Sequence, residues 1–410
     1  MIQTKYLIIG GGIAGTSAAE SIRTVDKNGS IIIVSDEPYL MYSRIMLSKP
    51  SYFLDQIPEE RIFLKNDKWY DSQEIELISG KKAISLDAQN KIIKLFDGSE
   101  LQYEKLLLAT GSNPRKWNVS GGEKDGVFSL RILEDCKKIK NHLQKEVKRV
   151  ALVGGGFISF EMCDLLCEKG LNVTLILRES HYWEPILDEA SGKIIEKAFV
   201  DGGIKIFYNS EIAEVLGSEF VNGVILKSGE KIPCEIIIAG IGICCEIDWV
   251  KNAGIETNHG ILANEYLETN LKDIWTAGDV AEYYDPILEE RAQLGNWSNA
   301  QLQGRRAGLN MTGQKEQFRF VSSYSTSGFH TNITFIGNVR PEGKEIITRR
   351  DADANSYGRI FTLDGEIVGA ALVNYANETN TISKLIEKDI KIIGKEKDLS
   401  DPKFNLSALL

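Results

Sequence analysis

The apolar run Tyr6-Leu7-Ile8-Ile9 leads directly into Gly10-Gly11-Gly12-Ile13-Ala14-Gly15, and this stretch constrains the chain more than any other. Gly10, Gly12 and Gly15 fall on G-x-G-x-x-G. The first glycine permits a tight turn out of a buried strand. The second lets a backbone approach a pyrophosphate, and the third lets helix and strand pack closely. Ala14 lies in the same turn. Thr16 to Arg23 continue as a helix of small residues, and Ile31 to Val34 form the next strand. That strand ends in Ser35-Asp36-Glu37, so Asp36 or Glu37 can hold a ribose hydroxyl pair.

The pattern recurs. Arg149 to Val153 is a strand, Gly154-Gly155-Gly156-Phe157-Ile158-Ser159 is a turn, and Phe160 to Glu168 is a helix. Ser159 stands where the third glycine would be and is small enough for close packing. Val173 to Leu177 is the following strand. Arg178 after it could meet a 2′-phosphate, and Glu179 could serve a ribose, so the choice between NADH and NADPH stays open. Two such units in one chain call for two nucleotides. The simplest pairing is FAD held in the first and a visiting NAD(P)H in the second.

Other stretches fit around these turns. Pro38 to Pro50 carries Arg44 and Lys49 among aromatic and apolar residues, which suggests an anionic ligand, because unpaired buried charge is costly. Ile75 to Leu108 reads as strands with turns at Asp87–Asn90 and Asp97-Gly98. Lys105 to Ala109 is a buried strand ending in Thr110-Gly111, and Gly111 and Pro114 mark a crossing into a second region. Ile236 to Gly242 is a strand ending in glycines, with Gly240 and Gly242 suited to close approach by a ligand. Ile274 to Val280 repeats that form and is expected to leave Asp279 exposed at its end. Asn296 begins a helix that runs to about Asn310. From Phe318 the texture changes to a small α+β domain, with Ser322 to Phe329 polar, strands at Ile333–Ile336, Arg359–Leu363 and Ile367–Val373, and a helix around Thr381 to Ile392.

The 410 residues allow two or three domains. The formal charge of −10 argues against nucleic acid as the main partner. Arg305-Arg306 and Arg349-Arg350 read as solvated surface. No apolar run reaches the ~18 residues of a membrane span, and the N-terminus enters a strand with no room for a signal peptide. The six cysteines show no zinc spacing and no Cys-x-x-Cys, which fits a reducing cytoplasm and no metal. Cys163 and Cys167 share one helix face and read as packing. Cys244-Cys245 lacks any sign of an activated thiolate.

With five separated motifs in order, the sequence resembles the FAD-dependent pyridine nucleotide reductases, and within them the rubredoxin, ferredoxin and nitrite reductase flavoproteins. Their Tyr-x-Arg-x-x-Leu-Ser-Lys matches Tyr42, Arg44, Leu47, Ser48 and Lys49; Ala-Thr-Gly matches Ala109, Thr110 and Gly111. Leu-Arg-x-x-x-Asp matches Leu130, Arg131 and Asp135; the nicotinamide-side glycines and glutamate match Gly154, Gly156 and Glu161; Gly-Asp matches Gly278 and Asp279.

The resemblance implies an α/β fold of two Rossmann-like domains, FAD at 1–114 and 249–317 interrupted by NAD(P)H at 115–248, and a C-terminal α+β interface domain at 318–410. It implies that Lys49 lies near the flavin and pairs with Glu161. It also implies that Arg44, Ala83, Arg131, Asp279, Trp297 and Phe329 serve FAD, and that Phe157 and Ile158 serve NAD(P)H. The implied activity is hydride transfer from NADH or NADPH to FAD, then electron transfer to a small iron–sulfur protein. A homodimer is compatible with it. Reduction of oxygen and an apoptosis-inducing-factor-like interaction role are the alternatives. No cysteine precedes Cys136, so a dithiol relay early in the chain is excluded.

Overall fold

The computed structural model describes all residues except Ala352 and Ala354. The chain forms two compact units, one of Met1–Ser43, Pro58–Asn113 and Ile243–Phe320, the other of Arg44–Ile57, Pro114–Gly242 and Val321–Leu410.

In the first unit the strand Ile2–Ile9 lies between Ile31–Val34 and Glu100–Leu108, parallel to both. Ile75–Ile78 and Ile274–Thr276 extend this parallel set, and the Ala83–Asp87/Ile92–Leu95 hairpin adds antiparallel strands. The central strands are apolar at successive positions, over 6–9, 31–34 and 106–108, because both faces are covered. Tyr6, Ile8, Ile31, Ile33 and Leu107 enter one core, and Leu7, Ile9, Ile32, Val34, Leu106 and Leu108 enter the other. That split is the two-residue alternation of a strand. The helices Ile13–Val25 and Trp297–Met311 pack in the first core through small residues. A Cβ on Gly304 would lie 2.1 Å from the Ala14 carbonyl oxygen, and one on Gly308 would lie 2.4 Å from that of Ala18.

In the second unit Arg149–Val153 is parallel to Asn172–Ile176 on one side and Ile236–Ala239 on the other. A separate five-stranded antiparallel sheet runs Ser323–Gly328, Thr331–Gly337, Glu366–Val373, Ser356–Leu363, Glu345–Asp351. The helix Thr379–Glu387 buries Ile382, Leu385 and Ile386.

One stretch gains a strand here, and two sequence expectations change. The polar stretch Ser323–Gly328 is a strand, paired through every residue to Thr331–Gly337, with a hydroxyl contact between Ser325 and Thr334 at 2.7 Å. Arg349 is not solvated surface but 1% exposed, although Arg350 is exposed. Neighbours on a strand point to opposite faces, and Glu345–Asp351 is a strand. Arg349 pairs with Glu378 at 2.9 Å and donates to the carbonyls of Leu399, Asp401, Pro402 and Phe404. Asp279 is 8% exposed rather than open to solvent.

Arg44–Ile57 belongs to the second compact unit. The helix Leu133–His142 holds this segment: Cys136 Sγ donates to the Leu47 carbonyl at 3.5 Å, and Lys140 Nζ donates to the Tyr52 carbonyl at 3.2 Å. No described helix is long and apolar enough to cross a membrane.

Candidate active site

Each unit builds its own glycine turn, and the two follow one geometry. Gly10 has φ +122°, and a Cβ there would lie 2.1 Å from the Ala109 carbonyl oxygen. Gly154 has φ +101°, and its Cβ would lie 2.4 Å from the Gly240 carbonyl oxygen. Both positions therefore demand glycine on conformation and on space. Ala109 N donates to Ile9 O and Gly240 N to Val153 O, each at 2.8 Å, so Ala109 and Gly240 are structural counterparts. A Cβ on Gly12 or Gly156 would meet nothing within 4 Å. Each of these glycines caps a helix, Ile13–Val25 or Phe157–Glu168, that has no side-chain cap and no acidic residue in its first turn. Such a helix start directs N–H groups and positive dipole at whatever approaches. Open space beside the second glycine together with an uncapped helix start fits a dinucleotide pyrophosphate.

The third position differs. In the first turn Gly15 is required, because its Cβ would lie 2.0 Å from Gly10 O. In the second, Ser159 is present and 2% exposed, and a Cβ on Gly240 would fall 2.8 Å from its Oγ. The second turn therefore accommodates a side chain at its third position, where Ser159 lies against a glycine, Gly240.

The first unit brings Gly10, Ala14, Gly15, Ala109, Gly278 and Asp279 together. Ala277 N donates to Leu108 O at 3.1 Å, and a Cβ on Gly278 would lie 3.1 Å from that of Ala14. Gly111 and Gly278 both have positive φ. Ser112 Oγ donates to Asp279 Oδ2 at 2.8 Å, which accounts for the burial of that carboxylate. Thr110 and Asp36 are exposed. Glu37 accepts the Tyr42 hydroxyl at 2.6 Å. Trp297, partly buried, opens its helix after the Asn296 cap. Ala83 sits in the hairpin opposite Leu95.

In the second unit Lys49 Nζ lies 2.6 Å from Glu161 Oε1. Ser48 Oγ donates to Glu161 Oε2, and Thr326 Oγ1 to Oε1 at 2.8 Å. A carboxylate bound by an ammonium and two hydroxyls is held by charge-assisted hydrogen bonds. Sequence reasoning assigned no role to Ser48 or Thr326. Ser48 stood inside a quoted motif, but no local signal marked Thr326.

Arg44 begins a 3₁₀ turn, Arg44–Ser48. Arg131 N and Ile132 N both donate to Asp135 Oδ2 at 3.0 Å, so the Leu-Arg-x-x-x-Asp motif caps a helix start. The Phe157 ring packs on Trp183, Tyr324 and Phe335, with centroids 4.7, 5.0 and 5.6 Å away, and Ile158 is partly buried beside it in sequence. Arg178 is 79% exposed at its side chain and donates Nε to Glu179 Oε1 at 2.7 Å. Glu179 Oε2 is buried and has no protein hydrogen-bond partner. Gly242, at φ +96°, accepts Arg115 N at 3.0 Å through its carbonyl.

Phe329 N donates to Asp164 Oδ1 at 3.1 Å, on the helix that also carries Glu161. The Phe329 ring packs edge-on against Phe199, 5.4 Å between centroids, and fills the space beside Gly202. Three thiols are held protonated: burial pushes Cys163 well up, Cys167 to about 11 and Cys234 to about 12. Protonated thiols are poor nucleophiles.

Two parallel-stranded cores, each opening a helix with a glycine turn, define a protein with two dinucleotide-binding folds. The pyridine nucleotide-disulphide oxidoreductase model matches residues 4–304, and the rubredoxin NAD+ reductase C-terminal domain model matches residues 327–390. The chain belongs to the pyridine nucleotide-disulphide oxidoreductase family, whose members use FAD and NAD(H).

It is 31% identical over 361 residues to the NADH-rubredoxin oxidoreductase of Clostridium acetobutylicum, covering 88% of this chain and 85% of that one. It is 27% identical over 403 residues to human apoptosis-inducing factor 3, covering 97% of this chain but only 65% of that protein's length. The fold is shared with the ferredoxin reductase for the CYP199A2 system from Rhodopseudomonas palustris, at TM-score 0.90, 24% identity and 99% coverage of both chains.

Proposed function

We propose that the protein is a flavoprotein oxidoreductase that takes hydride from a nicotinamide nucleotide onto FAD and delivers electrons to a small iron–sulfur protein of the rubredoxin or ferredoxin kind. The observation that carries this reading is the Lys49–Glu161 ion pair, whose acid comes from the helix that opens at the second glycine turn. FAD, when bound, supplies the chemistry of accepting a hydride and releasing electrons one at a time. The residues supply binding, orientation and charge. Gly10, Gly12 and Gly15 with Asp279 hold FAD, together with Ala14, Asp36 or Glu37, Arg44, Ala83, Ala109–Gly111, Arg131 and Trp297. Gly154, Gly156, Phe157, Ile158, Gly240 and Gly242 hold the nicotinamide nucleotide. Lys49 places a positive charge beside the flavin, and Glu161 holds Lys49 in place. The name of the clostridial relative supports NADH as donor and rubredoxin as acceptor.

Glu179, with one oxygen unpartnered, suits a ribose diol, which also favours NADH over NADPH. In this reading residues 1–114 and 249–317 serve FAD, 115–248 serve the nucleotide, and 318–410 form the acceptor-side domain of a cytoplasmic protein. A homodimer is part of it and is tested by sedimentation. The test of the whole is anaerobic stopped-flow reduction with NADH and NADPH in parallel, followed by mixing with oxidised rubredoxin or ferredoxin. Faster reduction by NADH and rapid transfer to the iron–sulfur protein are expected. Rapid reoxidation by air alone would identify an oxidase instead.

The match to apoptosis-inducing factor 3 over 97% of this chain favours one other reading, a redox-sensing interaction protein. Slow turnover with every acceptor and nucleotide-dependent dimerisation would support it.

A further inference from the structure

The segment Ser180–Asp188 follows Glu179 and links the second glycine turn to the C-terminal sheet. At one end it grips the turn. Tyr182 is fully buried, and its hydroxyl donates to the Gly156 carbonyl at 2.8 Å. Trp183, 8% exposed, packs its ring on Phe157. At the other end the segment is gripped by the strand Ser356–Leu363. Arg359, 7% exposed, donates Nη1 to the carbonyls of Pro185, at 3.0 Å, and Ile186. Tyr357 donates its hydroxyl to Asp188 Oδ2 at 2.8 Å. Within the segment, Ser180 N and Oγ both donate to Glu184 Oε2 at 2.8 Å, and Leu187 N donates to Trp183 O at 3.0 Å. The next helix ties in the middle, since Glu196 Oε1 accepts Tyr182 N at 2.7 Å.

The Gly156 carbonyl also accepts Phe160 N at 3.0 Å, so the Tyr182 hydroxyl is a second, side-chain hold on its direction. A peptide unit is planar, so fixing the direction of the Gly156 carbonyl fixes the direction of the Phe157 N–H. That N–H is among the first of its helix and has no partner within the helix. A phosphate at the turn would bind to N–H groups of this kind.

We propose that Arg359 and Tyr357 are positioning residues for nicotinamide nucleotide binding, acting through a Ser180–Asp188 strap whose Tyr182 helps to aim the first N–H of the helix that follows the second turn. This rests on the reading that the second turn takes the nucleotide. The C-terminal sheet thereby sets nucleotide affinity without touching the nucleotide. Arg359 is suited to the task because its guanidinium donates to two adjacent carbonyls at once.

The test uses the full-length holoenzyme in four forms: Arg359→Ala, Arg359→Lys, Tyr182→Phe and Gly154→Val. NAD+ affinity is measured by calorimetric titration, flavin reduction by stopped flow at saturating NADH, and hydrogen exchange across residues 180–188. Arg359→Ala and Tyr182→Phe should each weaken NAD+ binding about tenfold. The saturated reduction rate should change by less than that, and FAD should stay bound. Arg359→Ala should also speed exchange in the strap, and Arg359→Lys should recover part of the affinity. Faster exchange with unchanged NAD+ affinity would overturn the proposal. Tyr182→Phe removes one hydroxyl only, so unchanged affinity in that variant overturns it even if Arg359→Ala does not fold. Unchanged affinity in Gly154→Val would instead overturn the assignment of the second turn to the nucleotide.

Discussion

Ser159 and Gly240 occupy a single small space, because a Cβ on Gly240 would lie 2.8 Å from the Ser159 hydroxyl. The first turn carries a glycine, Gly15, at the position of Ser159. Gly240→Ala should therefore destabilise the second unit by about 1–3 kcal/mol through overpacking, with a matching loss of NAD+ affinity. Adding Ser159→Gly should restore much of both, because it removes the hydroxyl that the new methyl group would meet. Urea unfolding and NAD+ titration of the two single variants and the double variant measure the coupling. Additive effects would show that the two positions do not share a space.

Lys49→Ala should slow flavin reduction at saturating NADH on the order of a hundredfold, the scale of removing one electrostatic donor from a reaction site. FAD retention should change much less. Stopped-flow absorbance and flavin release on dilution read the two effects separately. An unchanged reduction rate would remove Lys49 from its role.

Arg349→Ala should be more damaging to stability than any exposed arginine variant, at about 3–5 kcal/mol, the scale of breaking a buried ion pair. It leaves Glu378 without its partner and strips donors from the carbonyls of Leu399, Asp401, Pro402 and Phe404. Hydrogen exchange should rise first in residues 396–404. Arg350→Ala, one residue on and exposed, should have little effect.

Asp188 gives a pH dependence with a definite sign. Burial alone would raise its carboxyl, but hydrogen bonds from Ser191 and Tyr357 and the charge of Arg359 hold it below its ordinary value of 3.8. The folded state then binds the proton less well than the unfolded chain does. The stability Asp188 contributes is present above pH 3.8 and is lost as pH falls through its lower folded value. The stability gap between wild type and Asp188→Asn should be constant at neutral pH and narrow below pH 3.8, measured by urea unfolding across the acid range. A gap independent of pH would show that the carboxyl is not held down in the fold.

Much of the frame was legible in the sequence because its signals are local. A buried strand, a glycine turn and a helix of small residues are adjacent in the chain, and each strand of the two cores reads as an apolar run. The residues that complete the site come from far along the chain. Thr326 reaches Glu161 across 165 positions, and Tyr357 reaches Asp188 across 169, with no local pattern to announce either. Arg349 misled because two adjacent arginines look alike as letters, whereas a strand sends them to opposite faces. Asp279 looked open because its hydroxyl partner, Ser112, lies 167 positions away. Ser323–Gly328 lacks apolar alternation, and its pairing with Thr331–Gly337 makes it a strand.

The first unit is assembled from three separate lengths of chain, the last of them ending at Phe320. Its glycine turn leaves the ribosome long before the helix that packs against Ala14 and Ala18, which is complete only near residue 311. The first unit therefore cannot close while the chain is shorter than this. The central length of the second unit, Pro114–Gly242, holds its parallel core and can form that core earlier, since domains tend to fold as units during synthesis. In order of birth, the second glycine turn would be finished before the first.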